Sequence, residues 1–310
     1  MASANHSLTL WRLLDGKPGH EKQTLGLANA LARMTHCQRI DIPVTGQRHT
    51  LLDWLLGRFR AREGKPHPDL ILAAGHATHF AALAARRAHG GRIVLLMRPS
   101  LPVRWFDLCL IPEHDQPAKR RNIIPTQGAL NAVTPSDRHD AKRGLFLIGG
   151  PSPHYRWDND KVILQVKTVL NASPDIHWQL TTSRRTPSDF LPGLTSQLNA
   201  ANLDILPQPV TPPGWLEQAL ETTGQTWVTE DSVSMVYEAL TAGAPVGLIG
   251  LTASANSRVG QGIAKLARSH WLTSFDEWQQ SGRLLSPPMG FDEAGRCARE
   301  ILTRWPPNAN

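Results

Sequence analysis

The chain has 310 residues, enough for two domains of about 150 residues each. Hydrophobic residues make up 41% and charged residues 19%, which excludes an intrinsically disordered chain. The formal charge is +7. A basic surplus suits nucleic acid, an anionic membrane surface or a phosphorylated substrate. Lys and Arg are spread along the chain without a tract, a zinc-finger spacing or an RNA-binding sheet motif, so no nucleic-acid partner is expected. Cys37, Cys109 and Cys297 are odd in number and far apart, which argues against a disulfide framework and fits a reducing compartment. There is no signal-peptide pattern and no run of about 18 apolar residues, so a cytoplasmic location is expected. Ten Trp stand beside two Tyr. Trp suits a membrane interface or a sugar face, but most of these are expected to be packing.

The chain opens with a strand over 8–14, the loop Asp15-Gly-Lys-Pro-Gly-His20, and a helix from about 22 to 34. Strand, glycine loop and helix begin a Rossmann-like half, although the loop is neither a P-loop nor G-x-G-x-x-G. Gly16 and Gly19 let backbone approach a ligand closely. His20 falls where the helix begins. Its imidazole suits a general base for a sugar hydroxyl, or else it is a capping or surface histidine. Asp15 could orient it or contact the substrate. A strand over 39–44 precedes a stripe of Leu51, Leu52, Leu55, Leu56 and Phe59, with Trp54, Arg58, Arg60 and Arg62 around it. That helix either lies on anionic lipid or packs inward with its arginines solvated, and the inward reading is the simpler. A strand over 69–73 leads to Gly75-His-Ala-Thr-His79 and an Ala-rich helix to about 89. His76 and His79 have no third ligand at a metal spacing, so contact with a substrate is expected and no metal. Strands over 92–97, 106–111 and 122–124 follow. The first two end in Arg98-Pro-Ser100 and Pro112-Glu-His-Asp115. Polar clusters thus recur at strand carboxyl ends, where open parallel sheets bind ligands. Glu113, His114 and Asp115 are alternative bases or hydroxyl binders.

Residues 132–143 read as a linker, and a strand over 144–148 starts a second half. Its loop, Gly149-Gly-Pro-Ser152, either brings amide donors to a diphosphate or is a tight turn. A helix over 160–170 and a strand over 176–181 end in Thr182-Ser-Arg-Arg185, where adjacent arginines either fork onto phosphates or stay solvated. Residues 207–215 form a Pro-rich connection that includes Trp215. The densest stretch follows: a strand over 226–228, the turn Thr229-Glu-Asp-Ser232, a helix over 233–241 and a strand over 245–249. Ser232 or Asp231 is expected to cap that helix, and Gly243 and Pro245 to stop it. A helix start at a strand end suits phosphate. Glu238 either accepts from ribose hydroxyls or is solvated. Ser257-Arg-Val-Gly-Gln-Gly262 leads into a helix to about 268, and a terminal helix spans 291–305.

The stretch around Glu238, a helix followed by a small-residue–Gly–x–Pro turn, resembles the donor-nucleotide unit of GT-B glycosyltransferases. Further runs carry a resemblance along the whole chain: Leu14-Asp-Gly-Lys-Pro-Gly-His-Glu-Lys-Gln23, Ala73-Ala-Gly-His-Ala-Thr-His79, Leu96-Met-Arg-Pro-Ser-Leu-Pro102, Phe106 to Asp115, Leu147-Ile-Gly-Gly-Pro-Ser152 and Leu180 to Pro187. Together they resemble the mitochondrial-fission Elm-type family of glycosyltransferases, named for its plant members and with many bacterial ones. The resemblance implies an α/β, GT-B-like fold of two Rossmann-like domains facing a central cleft. It implies an acceptor domain over 1–140, a donor domain over 144–290, and a helix over 291–310 crossing back to the first. The implied reaction moves a sugar from a nucleotide sugar to a hydroxyl. For a bacterial member the acceptor is the core of lipopolysaccharide or lipooligosaccharide, at the inner face of the cytoplasmic membrane.

In the related peptidoglycan N-acetylglucosaminyltransferase a glycine-rich first loop ends in a His at the acceptor site, which favours His20 as base with Asp15 beside it. Lys17, Gly19, His76, His79, Arg98, Glu113 and His114 would meet the acceptor. Gly149, Gly150, Ser152, Thr182, Ser183, Arg184 and Arg185 would meet the donor diphosphate or sugar. Glu230, Asp231, Ser232, Ser234, Met235 and Glu238 would hold its nucleotide. No cofactor or metal is expected: helix dipoles and basic residues stabilise the leaving phosphate, and there is no D-x-D triad. A sugar-nucleotide epimerase of the standard kind needs Tyr-x-x-x-Lys, but Tyr155 and Tyr237 are followed four residues on by Asn159 and Thr241. A non-catalytic adaptor keeping the fold is the other rival.

Overall fold

The computed structural model describes residues 7–46, 49–59, 66–198, 200–254, 258–287 and 290–307. Arg60, Arg62 and Ser257, named above, lie outside the described residues. The chain divides into two compact units, Met1–Ala132 with Asp292–Asn310, and Val133–Phe291.

Unit 1 begins β1 (Leu8–Leu14), α1 (Pro18–Met34), β2 (Cys37–Pro43), α2 (Leu51–Leu56), β3 (Leu70–Ala74) and α3 (His79–His89). It continues with β4 (Arg92–Leu96), β5 (Leu108–Pro112) and β6 (Ile123–Thr126). Among the described residues these strands form one parallel sheet in the order β2-β1-β3-β4-β5-β6. Leu-Ile-Leu-Ala-Ala in β3 and Leu-Cys-Leu-Ile-Pro in β5 are buried throughout, as strands covered on both faces must be. The two faces can be read along the strands. Leu10, Leu70 and Leu72 join a cluster with Leu27 and Leu31 of α1, while Trp11, Leu13, Ile71 and Ala73 join one with the alanines of α3. Arg12 points into the α1 face. Its buried guanidinium is held by the Asp41 carboxylate at 2.8 Å and the Glu21 carbonyl at 2.9 Å.

α2 departs from the inward reading. It ends at Gly57, left-handed at φ 63°, and Leu51, Leu52, Leu55 and Leu56 are 48–56% exposed, leaving Phe59 as the buried member of the stripe. The helix is fastened from below instead, by Trp54 against Trp105 and by Arg87 Nε donating to the Leu55 carbonyl.

Unit 2 runs β7 (Asp140–Ile148), β8 (Tyr155–Arg156), α4 (Asn159–Ala172), β9 (His177–Thr182), α5 (Phe190–Gln197), β10 (Leu203–Ile205) and α6 (Trp215–Thr222). Then come β11 (Thr223–Thr229), α7 (Val233–Ala242), β12 (Val246–Ile249), β13 (Thr252–Ala253), α8 (Arg258–Arg268), β14 (Thr273–Ser274) and α9 (Phe275–Ser281). Its parallel sheet has the order β10-β9-β7-β11-β12-β14. Part of the expected linker is strand, since β7 starts at Asp140, and the Pro-rich connection runs straight into α6. Trp178 and Trp227 are fully buried. Their indoles occupy the space where a Cβ on Gly144 or Gly247 would stand, at 2.3 and 2.6 Å, so these tryptophans are packing.

The last helix, α10 (Glu293–Arg304), belongs to unit 1. Cys297, Ala298 and Ile301 bury against the α1 face of the sheet, and Arg296 donates to the Pro125 carbonyl. Cys37, Cys109 and Cys297 are free thiols. Among the described residues no helix is long and apolar enough to cross a membrane.

Candidate functional site

Strand order decides where a ligand can sit. In unit 1, β1 continues outward to β2 on one side while β3 starts the run to β6 on the other. In unit 2, β7 and β11 stand in the same relation. At such switch points the loops leaving the two strands turn to opposite faces and open a crevice at the carboxyl edge.

At the switch point of unit 1, Asp15 ends β1 and His20 lies in the first turn of α1. His20 Nδ1 is 2.7 Å from Asp15 Oδ2. The carboxylate is almost wholly buried and the imidazole about one-fifth exposed, so the acid orients the ring and Nε2 is the nitrogen left for a substrate. The loop is braced locally: Gly16 N–H donates to Glu21 and Lys17 N–H to Asp15 Oδ1. The Lys17 side chain and Gly19 are exposed beside it. From β3 comes Gly75, at φ 85°. A Cβ there would lie 2.2 Å from His20 Nδ1, so only glycine leaves room for the pair. Next to it Ser100 Oγ bridges two imidazoles, His76 Nδ1 at 2.6 Å and His79 Nδ1 at 3.2 Å. His76 is exposed. His79 is buried, and burial followed by the neighbouring His76 lowers its pKa to about 4, so this ring is neutral at neutral pH. It reaches the surface through Ser100. Arg98 bonds the Asp115 carbonyl, and Glu113 and His114 are exposed, all at the ends of strands farther from the switch point.

At the switch point of unit 2 the sequence expectations change in detail. Neither Ser232 nor Asp231 caps α7. The Asp231 carboxylate, fully buried, turns to the glycine loop instead. Its Oδ2 accepts from Gly150 N–H at 3.0 Å and from Arg185 Nη2 at 2.8 Å, and its Oδ1 is buried without a partner among the described residues. Gly149 N–H donates to Thr229 Oγ1. Both loop amides are therefore used internally and are not free for phosphate. Glycine is needed for a different reason: a Cβ on Gly149 would meet Asp231 at 2.3 Å, and one on Gly150 would meet the Arg185 carbonyl at 2.1 Å. Arg185, read above as a phosphate ligand, forks onto Asp231 and onto the carbonyls of Gly150 and Pro151. Arg184 is exposed, with no hydrogen bond or ion pair among the described residues.

The consequence is an open helix end. With no cap, the N–H groups of Val233, Ser234 and Met235 have no acceptor among the described residues. Ser234 is exposed at that end, Met235 packs on the core, and Glu238 is buried, which excludes the solvated reading of it. Glu230 Oε2 accepts from Leu251 N–H at 2.8 Å, and burial raises its pKa despite that bond. Ser152, Thr182 and Ser183 are spent locally, accepting from the N–H groups of His154, Gln208 and Arg185. Sequence reasoning did not single out Gly75, Ser100 and Thr186. Thr186 Oγ1 ties the Ser183 turn to the carbonyls of Ile148 and Gly149. The available signal was position: Gly75 directly follows β3, and Ser100 and Thr186 come four residues after the ends of β4 and β9.

The profile of the family described as Mitochondrial fission ELM1 matches residues 18–305, and the chain belongs to that family. An uncharacterized protein of Rickettsia prowazekii (strain Madrid E) is 24% identical over 301 residues, covering 77% of this chain and 82% of its own. Among solved structures, UDP-GlcNAc 2-epimerase from Methanocaldococcus jannaschii is 12% identical, covers 96% of this chain and 100% of its own, and superposes with a TM-score of 0.54. UDP-GlcNAc 2-epimerase from Neisseria meningitidis, bound to UDP-GlcNAc, is 10% identical with 96% and 100% coverage and a TM-score of 0.50. At these identities the likeness is one of fold: two parallel-sheet α/β units in one chain, the GT-B-like arrangement.

Proposed function

We propose that this member of the mitochondrial fission ELM1 family is a glycosyltransferase that moves a sugar from a nucleotide sugar to a hydroxyl acceptor. The observation that carries the proposal is the open amino end of α7 at the unit 2 switch point. Three N–H groups and an arginine, Arg184, without partners among the described residues, with the positive end of a helix dipole, suit a diphosphate. The buried Asp231 charge would repel that diphosphate, but Arg185 neutralises it. Glu238, on the same helix, is assigned to the ribose.

In unit 1 the Asp15–His20 pair has the form of an oriented general base: Asp15 holds Nδ1, so Nε2 accepts the proton of the acceptor hydroxyl as it attacks the anomeric carbon. The bond from that carbon to the diphosphate oxygen breaks, and the α7 end stabilises the nucleoside diphosphate that leaves. Lys17, Gly19 and His76 line the acceptor side. The acceptor is assigned to a glycolipid of the cell envelope, such as a lipopolysaccharide or lipooligosaccharide core. Two features favour a lipid surface at the inner membrane face: the formal charge of +7, and the four exposed leucines of α2 beside Arg58 and Arg87.

The test is a thermal-shift panel of UDP, GDP, CMP and dTDP and their sugars. Saturation at 100 times Kd adds about 2.7 kcal/mol of stability. Ser234→Asp places a carboxylate at the helix end. It should raise the stability of the free protein by about 0.3–1 kcal/mol and weaken the nucleotide about ten-fold or more. Nucleotide binding unchanged by Ser234→Asp would reject the assigned site. Conversion of a UDP-sugar to its 2-epimer without any acceptor would assign the protein to the reaction named for its structural neighbours instead.

A further inference from the structure

Unit 1 holds a cavity apart from the Asp15–His20 pair. It has a volume of about 360 Å³ and is lined by the β4–β5 and β5–β6 connections together with Ile111 of β5 and Ile123 of β6, away from the switch point. Among the described residues it is lined by Arg98, Arg104 and Arg120 and by the apolar Leu101, Val103 and Ile111, with no Asp or Glu. Arg98 is positioned by the bond from Nη1 to the Asp115 carbonyl. Among the described residues no hydrogen bond or ion pair engages the guanidinium of Arg104 or Arg120. Three cations around one hollow without a carboxylate repel each other, and an anion in the hollow relieves that repulsion.

We propose that this cavity binds a phosphate ester carried on an apolar body. Guanidinium forks match phosphate oxygens in pairs, the aliphatic wall suits the first carbons of a chain or ring, and the volume falls within the range of ligand pockets. The position of α2 adds a source. Trp105, adjacent to Arg104, packs against Trp54 of α2, the helix with four exposed leucines, with ring centroids 4.8 Å apart and the planes tilted by 44°. A lipid surface touched by those leucines would present its phosphates beside the cavity. Calling the ligand the acceptor, a phosphorylated amphiphile, rests on the transferase proposal above; the site itself does not.

The experiment uses the full chain and calorimetric titration with hexyl phosphate, inorganic phosphate and hexanol. It is joined by flotation with phosphatidylcholine vesicles with and without phosphatidic acid. Hexyl phosphate is expected to saturate one site and to bind more tightly than inorganic phosphate, with no binding of hexanol. Arg104→Gln and Arg120→Gln should each weaken it about ten-fold or more. Both side chains are exposed, so the double variant should melt like the parent. Recruitment to phosphatidic acid vesicles that the double variant loses would identify a lipid headgroup. Hexyl phosphate binding without recruitment would identify a free phosphorylated molecule. The proposal is overturned if hexyl phosphate does not saturate, if inorganic phosphate binds equally well, or if the double variant binds like the parent. None of these readings involves sugar transfer or a nucleotide, so failure of the donor panel and failure of this site are distinguishable.

Discussion

The sharpest perturbation is a single methyl group, Gly75→Ala. Two costs add. Gly75 has φ 85° and ψ 154°, a region that residues with a Cβ occupy at about 1–3 kcal/mol. The new methyl would stand 2.2 Å from His20 Nδ1, 2.3 Å from Cε1 and 2.9 Å from Asp15 Oδ2, so the ring must leave its place, an overpacking cost of about 1–3 kcal/mol. The variant should therefore lose about 2–6 kcal/mol in urea unfolding, together with His20-dependent activity. The two parts separate in a double-mutant cycle. In a His20→Ala background the clash with the ring is gone and the backbone cost remains, so Gly75→Ala should cost about 1–3 kcal/mol less there. Equal cost in both backgrounds would show that the glycine serves the backbone alone, and the claim that it shapes the His20–Asp15 pair would fall.

Three further expectations concern charge and exposure. Arg185→Ala leaves the buried Asp231 charge unpaired and should cost about 3 kcal/mol in urea unfolding, and adding Asp231→Asn should recover most of it. His79 has a folded pKa of about 4, below its unfolded value of about 6.5, so the unfolded chain takes up the extra proton in that window and stability falls as pH drops through it. The slope this group contributes, at most about 1.4 kcal/mol per pH unit, should vanish in His79→Gln when unfolding midpoints are compared from pH 4 to 7. Leu52→Gln with Leu55→Gln should lower partitioning onto anionic vesicles about ten-fold or more while leaving the melting temperature unchanged, because both side chains are already more than half exposed.

The parallel sheets were legible because strands covered on both faces carry unbroken apolar runs. Leu70–Ala74, Arg92–Leu96 and Leu108–Pro112 lie within two residues of their expected places. The polar loops after them were legible for the same reason. Other elements hid behind local chemistry. α5 contains Pro192 and Gly193, which argue against a helix in isolation; Phe190 and Leu194, both fully buried, hold it in place. The leucine stripe of α2 announced an amphipathic helix but not what would cover it, since periodicity gives a direction and not a partner. The cap of α7 failed differently. Asp231 and Ser232 are strong capping residues by local propensity, and the Asp231 carboxylate is taken by Gly150 and Arg185, contacts 81 and 46 residues away. Tertiary hydrogen bonds of that kind leave no trace in a window of four residues.

Both switch points are built by one device, and its cost bears on function. In each, a carboxylate at the end of a strand is sealed from water and held to a single basic partner, Asp15 to His20 and Asp231 to Arg185. In each, glycine from an adjacent strand end makes the room. Burying a carboxylate removes its hydration, and pairs of this kind are often matched in stability when apolar side chains replace both partners. Among the described residues Asp231 leaves one oxygen without a partner, and α7 leaves its first amides open. A protein acting only as a scaffold would gain stability by filling these sites. Buried pairs of this kind at the carboxyl edges of both sheets, with an imidazole facing outward in one unit and an uncapped helix in the other, fit the proposal that they act on a substrate. That reasoning favours catalysis over an adaptor role and makes Asp15→Asn a direct probe: the amide can still accept from Lys17 N–H and pair with His20 Nδ1 in the other tautomer, so stability should be retained with activity lost.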